Sequence, residues 1–171
     1  MIISVEKLKE FITTDVSNML LEARLEALEA SIRHKTHNNF QDRRYRSLGM
    51  VKDGVLGVAD TFYFKVGDTI MVDDDLCVIT DIEGRTVSVD IPLLDSEKVL
   101  VTKVVYPKDI IIGAVDVISW MIENPSDKAG IASETLSRHS VSYQGSSEFD
   151  SDIGCPVRLL SFLNQYVKAR F

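Results

Sequence analysis

Two histidines three residues apart are the first residues whose types and spacing could do chemistry. His34 and His37 could share one face of a helix and bind a metal ion together. A zinc site needs four ligands, at least three of them usually from the protein, and only Asp42 is near in sequence. We therefore interpret the pair as ordinary residues at the end of a helix and predict no metal site.

The run of three aspartates at residues 73–75 could supply carboxylates to calcium. The pattern of a calcium-binding loop fails when it is counted from the first of them. Position 5 is Cys77, Val78 replaces the required glycine, and Gly84 replaces the closing glutamate. The run is better explained as a solvated hairpin turn between two strands.

Ser137, His139 and Asp150 are the residue types of a nucleophilic triad. No nucleophile-elbow sequence accompanies them, since residues 145–149 lack its second glycine, and no phosphate-binding glycine loop occurs. Cys77 lies in a β-branched run and is interpreted as a small core residue rather than a reactive thiol. The sequence predicts neither an enzyme nor a cofactor, although a hydrolase using His139 or Asp150 stays open as an alternative.

One cluster combines basic and aromatic residues: Arg43, Arg44, Tyr45 and Arg46. Such a cluster could contact phosphates. The acidity of the chain favours another interpretation, in which it marks a helix end or a surface facing a neighbour. The segment 54–57 matches a two-glycine clamp of some RNA-binding modules but lacks flanking helices, so we interpret it as a flexible join.

Composition narrows the class of protein. The 171 residues include 19 basic and 26 acidic side chains, a net charge of −7, which argues against a general nucleic-acid binder. The two cysteines have no pairing motif, which favours a reducing compartment. We expect no secretory signal at the start of the sequence, and no apolar run reaches the roughly 20 residues of a membrane span.

Periodicity predicts four helices, at about residues 4–12, 16–34, 107–124 and 156–169. The second carries a narrow apolar stripe of Leu21, Leu25, Leu28 and Ile32, and the third has a broad apolar face that we expect to pack on the second. Between residues 62 and 106 short β-branched runs alternate with Asp and Gly turns, which predicts an antiparallel meander that forms a small closed or half-closed barrel.

These elements predict an α+β fold: a small helical bundle of long amphipathic helices packed together, with an inserted small antiparallel β-barrel-like module. Residues 1–47 and 107–171 would form the helical domain, and residues 62–106 the inserted β module.

The order of three features resembles the small head–tail connector (adaptor) proteins of long-tailed bacteriophages and prophages. The first is the helix sequence from Leu20 to Arg33, followed by Thr36, Asn39 and Phe40. The second is Ser133-Glu134-Thr135-Leu136-Ser137 with Ser140-Val141-Ser142-Tyr143, similar to a Ser-Glu-x-hydrophobic-Gly and Ser-Val-x-Tyr segment of the family. The third is a short C-terminal helix ending in Tyr166-Val167-Lys168-Ala169-Arg170-Phe171. The chain departs from the family in Ser137, where glycine is common, and in the β module.

The resemblance implies a virion structural protein without enzymatic activity. Family members form a closed ring, usually twelvefold, that binds under the portal protein, extends the DNA channel and receives a tail-side connector or stopper protein. It implies location at the head–tail interface of the virion and in the bacterial host cytoplasm during assembly, with DNA passing through without sequence-specific binding. The channel- or neighbour-facing segment would contain Ser133, Glu134, Thr135, Leu136, Ser137, Arg138, Ser140 and Tyr143. The portal or neighbour contact would contain Tyr166, Lys168, Arg170 and Phe171.

An alternative from a different class is a small-barrel nucleic-acid-binding module, because the strands that begin near Val66 predict a small barrel. The salt dependence of DNA or RNA binding separates the two hypotheses, since phosphate neutralisation makes affinity fall steeply with salt.

Overall fold

A computed structural model of the protein describes residues 1–124, 133–136, 139–142 and 149–169, with the backbone alone for 133–136 and 139–142. The chain divides into two compact units. A helical unit contains Met1–Asn38 and Tyr106–Phe171, and a barrel unit contains Asn39–Val105.

Six antiparallel strands form a closed barrel. They are β1 (Gln41–Lys52), β2 (Val55–Val58), β3 (Thr69–Val72), β4 (Asp75–Glu83), β5 (Thr86–Val89) and β6 (Ser96–Val104). Around the barrel the order is β1-β2-β5-β4-β3-β6, and β6 pairs with β1 to close it. Closure leaves the sheet without an open edge, which is how a short sheet avoids exposing unpaired backbone groups.

The segment that forms the barrel begins and ends at neighbouring points. Gln41 pairs with Val104 across β1 and β6, and the Val105 N–H donates to the Phe40 carbonyl at 2.9 Å. The barrel segment therefore starts and finishes side by side.

The barrel interior is a single apolar cluster. Alternate residues of each strand point inward, as the period of two in a strand requires. The buried members are Val51, Leu56, Val58, Phe64, Ile70, Val72, Cys77, Ile79, Val87, Leu93, Val99 and Val101.

Two-residue turns set the register of the hairpins. Asp53 and Gly54 join β1 to β2, both with positive φ (53° and 74°), as a type I′ turn requires. Residues 54–57 are therefore a turn and a strand, so the prediction of a flexible join was wrong. The aspartates at 73–75 do lie at the predicted hairpin turn, where Asp73 has φ 51° and its carboxylate accepts from the Leu100 N–H at 2.8 Å.

The helical unit contains three α-helices and one 3₁₀ helix among its described residues. They are α1 (Val5–Phe11), α2 (Asn18–Thr36), α3 (Lys108–Glu123) and the C-terminal 3₁₀ helix (Val157–Tyr166). Four short strands accompany them: β7 (Ser133–Leu136) pairs with β8 (His139–Ser142), and β9 (Phe149–Asp150) pairs with β10 (Cys155–Pro156).

Side-chain caps fix the first two helices. The Ser4 hydroxyl accepts from the Lys7 N–H, and the Ser17 hydroxyl accepts from the Leu20 N–H, both at 3.4 Å. The second helix therefore starts at Asn18 rather than near residue 16. His37 ends this helix in the left-handed conformation, with φ 48°.

The apolar stripe of α2 is buried as predicted, with Leu21, Leu25 and Ile32 fully inaccessible. The apolar face of α3 packs mainly on the C-terminal 3₁₀ helix rather than on α2. The two helices are in close contact at Gly113, where a Cβ atom would overlap the ring of Phe162. Only glycine leaves room for that ring on this face of α3.

The predicted fold class, a small bundle of long helices with an inserted barrel-like module, was wrong. The structure is an α+β protein whose principal sheet is a closed six-stranded barrel, and its described helices are short, the longest having 19 residues. The barrel begins at Gln41 rather than at residue 62, because residues 41–58 form β1 and β2. The C-terminal element is a 3₁₀ helix, so the α3 face is covered by a short tight helix and not by a bundle partner.

No helix in the described ranges is both long enough and apolar enough to span a bilayer.

Candidate functional site

The C-terminal segment is fastened to the first turn of α3. The Tyr166 hydroxyl donates to the Asp109 carboxylate, 2.7 Å from either oxygen, and the Gln165 side-chain amide donates to the same carboxylate at 2.6 Å. Burial, followed by the hydrogen bond to Asp109 and its charge, raises the pKa of Tyr166. The phenol therefore stays a neutral donor that holds the end of the 3₁₀ helix against α3.

Backbone contacts continue this attachment past Tyr166. The Lys168 N–H donates to the Thr36 carbonyl at 2.8 Å, and the Asn38 side-chain amide donates to the Tyr166 carbonyl at 3.3 Å. The Lys168 side chain is exposed. Of the four residues predicted to contact a portal or a neighbour, Tyr166 thus serves its own chain and Lys168 faces solvent, while Arg170 and Phe171 lie outside the described residues.

The predicted channel- or neighbour-facing segment contains a β-hairpin. Ser133 pairs with Ser142, and the register runs through Thr135 opposite Ser140 to Leu136 opposite His139. In the part of the chain described, β7 and β8 pair only with each other. Glu134 lies in β7, whereas Ser137, Arg138 and Tyr143 fall outside the described residues.

Asp150 is a structural residue in this fold. Its carboxylate lies 2.7 Å from the Lys35 ammonium and accepts from the backbone N–H groups of Asp152 and Ile153. Burial alone would raise the pKa of Asp150, but the Lys35 hydrogen bond and charge and these N–H groups outweigh it and lower the pKa. A carboxylate held in its charged form is a weak proton acceptor, which argues against Asp150 as a general base. The side chains of Ser137 and His139 are not among those described.

A cavity of about 420 Å³ lies beside this ion pair. Lys35 and Asp150 line one side of it, and the C-terminal 3₁₀ helix lines the other with Arg158, Ser161 and Asn164. Two of its three charged lining residues, Lys35 and Asp150, pair with each other, and the third, Arg158, is exposed.

In the described residues the fold places no further set of metal-binding side chains beside the two histidines. The His34 and His37 rings lie 6.2 Å apart, edge to face. Within the described ranges, no group of three or more His, Cys, Asp or Glu side chains is placed to hold a metal ion.

Both cysteines are buried and are kept as thiols. Burial, with smaller contributions from nearby carboxylates, raises the pKa of Cys77 to about 12 and that of Cys155 to about 11. Since the thiolate is the nucleophile, these pKa values make both groups unreactive near neutral pH.

The barrel carries a second candidate site, which we call the aromatic–arginine patch: Arg43, Arg44, Tyr45, Arg46, Phe62 and Tyr63. The Tyr45 and Tyr63 rings lie 5.4 Å apart, and the Phe62 and Tyr63 rings lie 5.1 Å apart in an edge-to-face arrangement. The Arg44 guanidinium lies 5.5 Å from the centre of the Tyr45 ring, within cation–π range.

The patch joins two segments that are distant in sequence. The sequence pattern indicates the arginines and Tyr45 but not Phe62 and Tyr63, which belong to the loop between β2 and β3. Three consecutive aromatics at residues 62–64 in an otherwise polar loop were the available signal. Only the third of them, Phe64, enters the barrel core, and this leaves the other two for the surface.

The chain matches no known protein-family model and no curated protein sequence.

Proposed function

We propose that this protein is a head–tail connector of a long-tailed bacteriophage or prophage, a non-enzymatic ring-forming component of the virion. In this proposal about twelve copies bind under the portal protein, extend the DNA channel and receive a tail-side connector or stopper. The proposal rests on the resemblance carried by the α2 sequence, the segment 133–143 and the C-terminus.

The observation that carries the proposal is the hairpin of β7 and β8. The described residues of the segment that resembles the family lie on two strands that, among the described residues, pair only with each other. A lone two-stranded hairpin is marginally stable in water and exposes open strand edges. Pairing with an adjacent subunit would satisfy those edges, and a ring repeats that contact around its circumference.

The attachment of the C-terminal segment also supports the proposal. A closed ring is built from two different surfaces on each subunit, which must be held in fixed positions. The Tyr166–Asp109 and Lys168–Thr36 hydrogen bonds hold the backbone of this segment while the Lys168 side chain stays exposed. A cation presented from a fixed backbone suits a contact with a portal.

Binding to portal assemblies from the same genome tests the proposal. The wild-type chain should co-sediment with portal rings at a stoichiometry of one copy per portal subunit. Lys168→Glu should weaken this binding about tenfold or more, because reversing an interface charge places like charges together. Lys108→Glu is the matched control, since Lys108 is an exposed cation of the same helical unit at the start of α3.

The hairpin has its own test. Replacing residues 133–142 with a Gly/Ser linker of equal length should abolish ring formation on the portal while the subunit remains folded. A truncation from residue 166 would be less informative, because it also removes the Tyr166–Asp109 hydrogen bonds. If the wild-type chain fails to bind portal rings, or if the linker variant assembles normally, the proposed function is wrong.

A further inference from the structure

An irregularity in β1 creates the aromatic–arginine patch. Gln41 pairs with Val104 and Arg46 pairs with Thr102, so the four residues 42–45 face only Lys103 on β6. The extra residues bulge out of the ladder, as bulges do when they redirect side chains. Arg43, Arg44 and Arg46 are all exposed as a result.

The loop that supplies the other two rings is held by hydrogen bonds. The Asp60 carboxylate accepts from the Phe62 N–H at 2.8 Å, and the Asp60 N–H donates to the Ser47 hydroxyl at 3.1 Å. The Lys103 ammonium binds the Asp68 carboxylate at 2.5 Å and the Tyr63 carbonyl at 3.4 Å. The rings are therefore presented by a preorganised loop, which lowers the entropic cost of binding.

The rings are more exposed than stability alone would favour. Phe62 is 81% exposed and Tyr63 is 43% exposed, although Phe64 of the same loop is buried in the barrel. Burying an aromatic ring removes apolar surface from water and stabilises a protein, so a ligand that covered Phe62 would gain a contribution that the fold itself does not use. Flat exposed rings beside guanidinium groups are the chemistry that stacks nucleobases and contacts phosphates.

The charges indicate a single strand rather than a duplex. The barrel unit has eight basic and twelve acidic side chains, so it cannot neutralise the phosphates of a long duplex. Arg44 is paired with Asp42, whose carboxylate accepts three hydrogen bonds from the Arg44 guanidinium, at 3.1, 3.3 and 2.8 Å. Arg43 and Arg46 have no carboxylate partner within the described part of the chain. Two arginines without a carboxylate partner and two exposed aromatic rings suit the binding of a short run of unpaired bases.

We propose that the aromatic–arginine patch binds single-stranded nucleic acid, with bases stacked on Phe62 and Tyr63 and phosphates contacted by Arg43 and Arg46. This site is independent of the connector function. Stacking carries most of the affinity, and Arg44 keeps the Tyr45 ring in position next to Tyr63.

The test measures the binding of the full chain to a fluorescently labelled 15-nucleotide oligo-dT by anisotropy. Phe62→Ala should weaken binding about 5- to 150-fold, the range for loss of one stacked base. Leu94→Ala is the matched control, because Leu94 is an equally exposed apolar residue of the barrel unit (85%) outside the patch. It should leave affinity unchanged.

Salt and probe chemistry separate stacking from simple charge attraction. The slope of log K against log salt should be no steeper than about −1.4 for the two arginines Arg43 and Arg46, and Arg43→Ala or Arg46→Ala should each flatten it by about 0.7. Arg85→Ala, an exposed arginine elsewhere on the barrel, should leave the slope unchanged. An abasic oligomer of equal length, and a duplex, should each bind at least about tenfold more weakly, since neither offers unstacked bases.

Three outcomes would overturn the proposal: no binding of oligo-dT at low salt, equal binding of the abasic oligomer, or equal loss from Phe62→Ala and Leu94→Ala. A fourth would assign the patch to a protein partner instead. In that case Phe62→Ala would leave oligonucleotide binding unchanged while abolishing binding to portal rings or to other copies of the chain. Far-UV circular dichroism on every variant checks that the barrel is intact.

Discussion

The contact between Gly113 and Phe162 predicts whether an alanine at position 113 stabilises or destabilises the protein. Gly113 lies within α3, and the Cε1, Cδ1 and Cζ atoms of Phe162 occupy the space that a Cβ at this position would fill. Gly113→Ala therefore adds a methyl group directly against an aromatic ring.

Two opposing effects determine how far Gly113→Ala changes the free energy of unfolding. Replacing glycine with alanine in a helix interior favours folding by about 1 kcal/mol, because alanine has less backbone entropy to lose. Adding a methyl group to a filled site costs about 1–3 kcal/mol. Three ring atoms would overlap the new group, so we expect the upper part of that range and a net loss of about 1–2 kcal/mol in the free energy of unfolding.

Trp120 makes the measurement specific to the helical unit. It is the only tryptophan of the chain, and it lies on α3 with its ring 5.8 Å from that of Phe149. Urea unfolding followed by its fluorescence therefore reports on this unit and not on the barrel. Asp116→Ala, at an exposed position of α3, should change stability by no more than about 0.5 kcal/mol and serves as the control.

A double variant tests the cause directly. With Phe162→Ala already present, Gly113→Ala should become stabilising by about 1 kcal/mol, because the ring is gone and the helix preference remains. The coupling between the two sites should then be about 2–3 kcal/mol. If Gly113→Ala stabilises the otherwise unchanged protein, or if the two effects simply add, the packing of the 3₁₀ helix on α3 does not have the form described.

Three further predictions follow from contacts elsewhere in the fold. Tyr106→Phe should lower the free energy of unfolding by about 1.5–3 kcal/mol in urea titrations, because it removes a buried 2.8 Å hydrogen bond to the Glu29 carboxylate; an unchanged midpoint would contradict this. Burial raises the pKa of Cys77 to about 12, so the stability contributed by its neutral thiol is complete below about pH 9 and falls as pH rises toward 12. Cys77→Ala should remove a slope of about 1.4 kcal/mol per pH unit from the alkaline limb measured by far-UV circular dichroism, and identical limbs would refute the assignment. Replacing residues 41–104 with a short Gly/Ser linker should leave the Trp120 unfolding transition in place, and its disappearance would show that the helical unit depends on the barrel.

The elements that the sequence predicted well are those with an unambiguous period. The α2 stripe recurs at helical spacing and is buried, and the strands β3 to β6 are β-branched runs between Asp and Gly turns. The strands β1 and β2 were missed because the outer face of the barrel is itself apolar here. Leu48 and Met50 are exposed next to buried Val51, so no alternation of apolar and polar residues marks β1.

The C-terminal element was predicted as an α-helix because the spacing of its apolar residues does not distinguish an α-helix from a 3₁₀ helix. Leu160 and Leu163 are three residues apart and lie on one face at either 3.0 or 3.6 residues per turn, so packing decided the outcome. Only part of the aromatic–arginine patch could be predicted from the sequence, for a different reason. Arg43 and Tyr45 are close in sequence, but Tyr63 meets Tyr45 only because the closure of the barrel places the β2–β3 loop beside the β1 bulge.

The adjacency of Gln41 and Val104 has a consequence for how such a chain can evolve. The Cα atoms of paired residues on neighbouring antiparallel strands are about 5 Å apart. The barrel segment therefore begins and ends at two points so close together that a tight turn could also connect them. Recombination could graft another module of any size at this junction, or delete the present one, provided that its ends are equally close. The barrel unit can thus be replaced in evolution while the helical unit continues to descend from the same ancestor.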